Sequence, residues 1–389
     1  MSQNPSQKQS LMIPQSRPLI AVLADIPDFR KSRGKRHALP SILALACCAA
    51  LCGYRSYSAM AEWGRHYGHR FRRLLGFTHQ TPSASTLHTI FRHLGPHELE
   101  ATLGAWAASV AAALPALPAL PLEATAIDGK TLRGSKKQGA PGVHLLSALS
   151  HYVGMTVAQL AVDEKSNEIT AIDTLLSTLV LKGRVVTLDA LLTQRATAQQ
   201  IINQGGDYVM IVKENQPKLR ADIAQVFALP PWGDPQPRAT TLDLAHGRIE
   251  QRTLTTSESL VGYSEWPGLA QVFCLERQVI TKKHAKKRME IVYGVTSLAA
   301  SRATPAQLLA LVRGHWHIEN KSHWVRDVTF DEDRSQVRCG HIPQVMAAIR
   351  NTAIGLLRSA GYTNIAKACR QMAAQPQRAL ALIGIEIEN

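Results

Sequence analysis

Three prolines at a spacing of three, in Ala113-Leu-Pro-Ala-Leu-Pro-Ala-Leu-Pro121, divide this chain into two segments with different hydrophobic patterns. Proline lacks an amide hydrogen and fixes φ, so the run cannot be helical and predicts an extended linker over 116–122. Residues 19–115 carry helical signals, with apolar stretches at Leu39 to Leu51, Tyr57 to Tyr67 and Thr86 to Leu94 and candidate caps at Ser41, Ser56 and Ser83. Almost no alternation appears there, so an all-α N-terminal domain is expected. Residues 1–18 are polar and lack the apolar core of a secretory signal, which predicts a disordered tail and a cytoplasmic protein. The most apolar stretch, Ala38 to Gly53, falls short of the ~20 residues a bilayer needs. It reads as a buried core helix, and no membrane partner is expected.

After the linker the pattern turns to strands: Ala124 to Asp128, Val143 to Ser150, and Met155 to Val162 beyond the turn at Val153-Gly154. Ile169 to Leu179 reads as an amphipathic helix, Arg184 to Asp189 as a buried strand, Arg195 to Asn203 as a helix and Asp207 to Val212 as another buried strand. This alternation predicts an α/β sheet domain whose first part is 123–229. Residues 230–300 read as a β-rich insertion, with strands at Arg252 to Thr256, Gln271 to Ile280 and Met289 to Val295. Pro305 opens a long helix through Trp324, within a C-terminal helical part over 301–389.

The chain has 44 Lys and Arg against 29 Asp and Glu, a net charge of +15, which points to an acidic partner such as a phosphate backbone. Six cysteines make no CxxC pair, so free thiols in a reducing cytosol are expected rather than a zinc or redox site.

Asp128 and Asp189 each follow an apolar strand. Strand ends are where α/β sheets bind ligands, and two like charges placed there disfavour each other unless a cation neutralises them. Oxygen donors alone suit Mg²⁺ or Mn²⁺. One such Asp by itself is more often a turn or helix cap; two together are harder to dismiss. Glu319 is the third candidate. On an ideal helix His315, Glu319, His323 and Arg326 share one face. Asp327, about 80° around that helix, is its competitor, whereas Asp331 to Asp333 form a charge run past the helix.

Other signals are weaker. Ala124 to Thr131 fits a relaxed phosphate-loop pattern, but its apolar run lies inside the would-be loop, so no nucleotide cofactor is expected. His315, His317 and His323 invite zinc, yet 315 and 317 point to different helix faces and no cysteine is near, which favours DNA contact or packing. Lys282 to Arg288 reads as a hairpin tip, solvated or touching phosphate. Pro82 to Arg92 reads as a recognition helix, with Arg65, Arg70, Arg72 and Arg73 upstream on the DNA backbone.

The motifs Asp28-Phe-Arg30, Arg36-His-Ala-Leu-Pro40, Ala126-Ile-Asp-Gly-Lys130, Lys165-Ser-Asn-Glu-Ile-Thr170, Gly205-Gly-Asp-Tyr208, Val212-Lys-Glu-Asn-Gln216, His246-Gly-Arg-Ile-Glu250, His315-Trp316, Ile318-Glu-Asn320 and His323-Trp324 occur in order along nearly the whole chain. Together they resemble the DDE transposases of the H-repeat-associated insertion-sequence family. The resemblance implies an α/β ribonuclease H-like catalytic core with an inserted β-rich segment, in which Asp128, Asp189 and Glu319 form the acidic triad. It further implies two Mg²⁺ ions (Mn²⁺ as a substitute), DNA transposition by phosphoryl transfer, and a homodimer acting on double-stranded element ends and target DNA. The expected DNA contacts are Lys130, Arg133, Lys213, His246, Arg248, His315, His323 and Arg326, with the four upstream arginines, and the helical segment alone is expected to bind end DNA. Two places depart from the pattern. Ala190-Leu-Leu-Thr-Gln194 stands where the family commonly has Met-Gly-Cys-Gln, and the broader signature of Tyr, Arg, Glu and Lys is here Val312, His315, Glu319 and Arg326. The rival reading is a catalytically inactive, element-derived DNA-binding protein or regulator; the presence of all three acids weighs against it.

Overall fold

The structure is a computed structural model that describes residues 16–33, 35–114, 122–137, 141–162, 167–245, 247–281 and 287–386. The proline run, most of the N-terminal tail, His246 and residues 282–286 of the basic run lie outside the described residues.

Five helices come first: α1 (Leu19–Val22), α2 (Leu39–Leu51), α3 (Tyr57–Phe71), α4 (Ala84–His93) and α5 (Pro96–Ala113). Helix α2 is apolar on all sides, and every residue in it except Pro40 is buried. Pro40 sits in the first turn, where a missing amide hydrogen costs no helical bond. The side chains of Ser56 and Ser83 cap α3 and α4, accepting the amides of Ala59 at 3.1 Å and Thr86 at 3.2 Å. Ser41 does not cap: it lies inside α2 and is buried, and Ala38 occupies the cap position without a side-chain bond.

The second segment runs β1 (Ala124–Thr131), β2 (His144–Ser150), β3 (Thr156–Val162), α6 (Glu168–Ser177), β4 (Val185–Leu188), α7 (Arg195–Asn203), β5 (Asp207–Val212) and α8 (Pro217–Ala228). Four antiparallel strands follow, β6 (Arg238–Ala245), β7 (Arg248–Ser257), β8 (Gln271–Thr281) and β9 (Lys287–Thr296). All nine form one sheet in the order β3-β2-β1-β4-β5-β9-β8-β7-β6. β1, β4 and β5 are parallel, β2 is antiparallel to both β1 and β3, and β9 joins antiparallel to β5. The inserted strands therefore extend the sheet rather than closing a sheet of their own.

One core runs from Leu39, Trp63, Phe91 and Leu99 through Ile127, Leu146, Val186 and Met210 to Ile349 and Leu356 on α11 (Ile342–Ser359). Helix α5 lies so close to β3 that a Cβ at Gly104 would stand 2.6 Å from the Val157 carbonyl oxygen. The helical segment thus shares its core with the sheet instead of burying its apolar faces alone. A buried polar network ties the two together. Glu332 accepts bonds from Arg326 Nε and Arg350 Nη1, both at 2.8 Å, and Arg350 Nη2 donates to the Arg55 carbonyl at 3.0 Å. Nearby, Gln159 Nε2 donates to Glu100 Oε1 at 2.8 Å, and Asn351 Nδ2 donates to Gln159 Oε1 at 2.8 Å.

The opposite face of the sheet, with Ala124, Val185, Val209 and Phe273, packs under Leu308, Leu309 and Val312 of α9 (Pro305–His315). The sequence predicts one helix from Pro305 through Trp324. The structure instead ends α9 at His315, makes a wide π-helical turn over Glu319–His323 closed by the Trp324 amide on the Glu319 carbonyl, and resumes as α10 (Trp324–Val328). One extra residue in that turn rotates α10 by roughly 100° relative to a regular helix. Arg326 consequently leaves the Glu319 face and is fully buried on Glu332, at 0% exposure, so the expected phosphate contact at Arg326 is corrected. Helices α12 (Ile365–Ala374) and α13 (Pro376–Leu382) complete the fold. Among the described residues no helix is long and apolar enough to cross a membrane. All six cysteines are free, and Cys339 is exposed.

Candidate active site

Parallel pairing sets the first two acids side by side. Ala126 pairs with Thr187 and Ile127 with Leu188, so Asp128 stands where β1 outruns β4, next to Asp189 at the end of β4. β1 itself continues to Thr131, so Asp128 marks the end of the parallel pairing and not of the strand. The turn after β4 is fixed by Asp189 Oδ1, which accepts the Leu192 amide at 3.3 Å, and by Thr193 Oγ1, which reaches the Asp189 and Ile211 carbonyls at 2.8 and 2.7 Å.

Glu319 comes from the far side, on the π turn, 51% exposed. Its Oε2 accepts from His323 Nδ1 at 3.1 Å, and the same nitrogen is 3.7 Å from Asp128 Oδ2. One ligand atom each from Asp128, Glu319 and His323 lie within 4.8 Å of one another. Electrostatics record the crowding. Burial, and then the charges of Asp189, Glu168 and Glu319, push the Asp128 carboxyl up to about 7. Burial raises Asp189 as well, with Glu168 adding to it. Glu319 is held below its usual range by the His323 hydrogen bond.

Asp327, the competitor for the third position, turns elsewhere: Lys130 Nζ holds its carboxylate at 2.6 Å. That pairing also takes Lys130, whose side chain is largely buried, away from the open face.

Sequence reasoning missed Glu168 as a site residue. It is the first residue of α6, behind an Asn167 cap whose Oδ1 accepts the Thr170 amide at 3.1 Å. Glu168 Oε1 is 2.6 Å from His144 Nε2, and His144 Nδ1 is 2.8 Å from Thr131 Oγ1. A Cβ at Gly129 would stand 2.3 Å from Glu168 Oε1, so the glycine after Asp128 makes room for this fourth carboxylate. The sequence pattern starts this helix at Ile169, one residue later, so Glu168 stood outside any element that would carry it to the site.

The acids open into a cleft of about 770 Å³ between the parallel strands, the inserted strands and the end of α9. Asp128, Asp189 and Glu319 line it together with Lys213, Arg248, Arg252, Arg277, Arg313, His315 and Trp316. Lys213 and Arg248 are exposed, as their expected DNA role requires. Arg252, Arg277 and Arg313 were not foreseen, because they lie in plain alternating strands or beside the motif. Arg252 and Arg277 both pair with buried Glu250, and Arg252 and Arg313 share Asp243, at 2.5 and 2.9 Å.

Other expected contacts fall elsewhere. Arg133 is exposed beside Asp333, at 3.6 Å. Arg65, Arg70 and Arg73 are exposed on and just after α3 while Arg72 is half-buried, and none of the four lines the cleft. His315 Nδ1 lies 3.1 Å from Thr187 Oγ1, which is 3.0 Å from His151 Nε2. Burial lowers His315 to about 4 and His151 to about 3, and lowers His323 too. Burial thus disfavours the cationic form of these rings; His315 lines the cleft, while His323 is buried against Glu319.

Residues 20–107 match the family model described as DDE_Tnp_1-associated, and residues 120–356 match the Transposase DDE domain. The chain is similar to the H repeat-associated candidate transposase YhhI of Escherichia coli (strain K12), 30% identical over 87% of this chain and 90% of that one. A protein described as uncharacterized, from the dhlA 3′ region of Xanthobacter autotrophicus, is 36% identical over 68% of this chain and 89% of that one. Among solved structures, a piggyBac transposase synaptic complex with hairpin DNA aligns over 94% of this chain and 78% of that chain at 11% identity, with a TM-score of 0.39, too loose a likeness to carry an argument.

Proposed function

Because this chain belongs to the transposase DDE-domain family, we propose that it cuts and joins DNA ends by phosphoryl transfer on Asp128, Asp189 and Glu319, carried by a ribonuclease H-like core. The observation that carries this reading is the convergence of those three carboxylates, from β1, β4 and the π turn, on one cleft rimmed by arginine and lysine. The strand order β3-β2-β1-β4-β5, with β2 reversed, supports the core assignment.

The donor set fits divalent metal. Burial, with the like charges of Asp189, Glu168 and Glu319 added to it, raises the Asp128 carboxyl to about 7, and a cation in that space would restore its ionised form. Asp128, Asp189 and Glu319 would hold two Mg²⁺ ions, or Mn²⁺, which when bound activate a water or a DNA 3′-hydroxyl and stabilise the leaving oxygen. The protein's own groups do the positioning. Two rigid parallel strands fix Asp128 and Asp189, and His323 fixes Glu319. Lys213 and Arg248 are placed to take backbone phosphates, which sets register without reading sequence. Double-stranded element ends and target DNA are the substrates, and a homodimer on DNA would bring two ends together.

The test is a labelled DNA fragment carrying one end of the element, incubated with full-length protein and Mg²⁺. Cleavage at the element boundary that EDTA abolishes supports the reading. Tight end binding without cleavage would instead favour an inactive binding protein or regulator.

A further inference from the structure

We infer that His323 is a nitrogen ligand of the metal site, so that the ion held between Asp128 and Glu319 lies in a mixed oxygen and nitrogen shell and favours Mn²⁺ over Mg²⁺. This rests on the metal-dependent reading above. His323 Nδ1 is 3.1 Å from Glu319 Oε2 and 3.7 Å from Asp128 Oδ2. Donors at right angles on an ion with bonds of about 2.1 Å stand about 3.0 Å apart. The two separations from Nδ1 thus approach the spacing within a coordination shell, and all three ligand atoms lie within 4.8 Å of one another, close enough for a small inward shift to bring them onto one ion.

Burial and direction agree with this. The ring is 2% exposed, too deep to meet a phosphate, and the π turn fixes it at the carboxylates rather than in solvent. Its Nε2 makes no hydrogen bond among the described residues; ligation through Nδ1 takes the Nε2–H tautomer, in which the Nδ1 lone pair on the ion replaces the hydrogen bond to Glu319. A ring serving only to orient Glu319 would need no approach to Asp128. His315, also in the cleft, is committed to Thr187 and has no comparable position. Imidazole suits the later first-row ions best, and Mn²⁺, at the start of that series, accepts a nitrogen donor beside carboxylates more readily than Mg²⁺, which prefers oxygen and holds its waters; a histidine here shifts the balance between those two toward Mn²⁺.

The test is Mn²⁺ binding to the full-length protein without DNA, followed by titration and by pulsed electron paramagnetic resonance, with Asp128→Asn and His323→Gln alongside. Bound Mn²⁺ in the wild type should show hyperfine coupling to a directly coordinated nitrogen. His323→Gln should lose that coupling and bind Mn²⁺ at least about tenfold more weakly, with its circular dichroism unchanged. Mn²⁺ that binds in an Asp128-dependent way without nitrogen coupling overturns the histidine assignment and leaves the metal site standing, as does coupling that survives His323→Gln. No Mn²⁺ binding by the wild type overturns the metal reading and this inference together. His323→Asn replaces Gln if the buried turn does not tolerate it, and a wild-type spectrum free of nitrogen coupling is decisive whatever the variants do.

Discussion

Glu332→Gln isolates what the buried ion network contributes. Glu332, Arg326 and Arg350 are 2%, 0% and 3% exposed, and the carboxylate accepts one bond from each guanidinium at 2.8 Å. A hydrogen bond to a charged group contributes about 1.5–3 kcal/mol. Removing the one anion between two buried cations leaves both uncompensated, which places the loss at about 3–5 kcal/mol. With about 2.1 cal/mol/K of unfolding entropy per residue over 389 residues, a 4 kcal/mol loss lowers Tm by about 5 °C. Differential scanning calorimetry reads this, with Glu258→Gln as the exposed control, expected within about 0.5 kcal/mol of wild type. A triple replacement, Arg326→Met with Glu332→Leu and Arg350→Met, should lose less than Glu332→Gln, because no charge stays stranded. A Tm drop under about 1 °C for Glu332→Gln, or a triple variant worse than the single, would refute the reasoning.

Three further outcomes are expected. Glu319→Gln should reduce Mg²⁺-dependent cleavage by at least roughly a hundredfold, while Asp327→Asn, whose carboxylate is taken by Lys130, loses much less; the reverse order in a cleavage assay moves the third acid to Asp327. Burial lifts Glu100 from 4.5 to about 7, so the stability of its protonated form is present below pH 4.5 and is lost as pH rises through 7, by up to about 3 kcal/mol. Urea melts at pH 5 and pH 8 should show a smaller pH difference for Glu100→Gln, and an unchanged difference rejects this. Replacing Arg65, Arg70 and Arg73 with Ala should weaken end binding and flatten its salt dependence by about two to three units of log–log slope; binding curves that overlay the wild type at every salt would clear those arginines of DNA contact.

How much of this was legible in the sequence depends on how local the signal is. Arg195–Asn203 and Asp207–Val212 come out with the bounds the sequence predicts, and β4 nearly so, because a buried parallel strand is a continuous apolar run and its neighbouring helix a clear amphipathic one. The π turn was not legible, since one extra residue in a turn leaves no mark in composition, and Arg326 went to the wrong face with it. The shared core escaped as well. Helix α2 is apolar all round, which says that it is buried but not against what, and the proline run drew attention to a boundary that the packing of α5 on β3 crosses. Within the site, Asp128 and Asp189 were visible as acids ending apolar strands. Glu168, Arg252, Arg277 and Arg313 were not, because only the packing together of distant strands and helices brings them there.

The central claim is that Asp128 and Asp189 perform the chemistry while basic groups elsewhere hold the DNA. The most direct measurement compares wild type, Asp128→Asn and Asp189→Asn on one labelled end fragment, scoring binding by gel shift and strand cleavage in Mg²⁺ on the same samples. Each variant should bind within about threefold of wild type and lose cleavage by at least roughly a hundredfold. Cleavage at the wild-type rate by either variant would contradict the account.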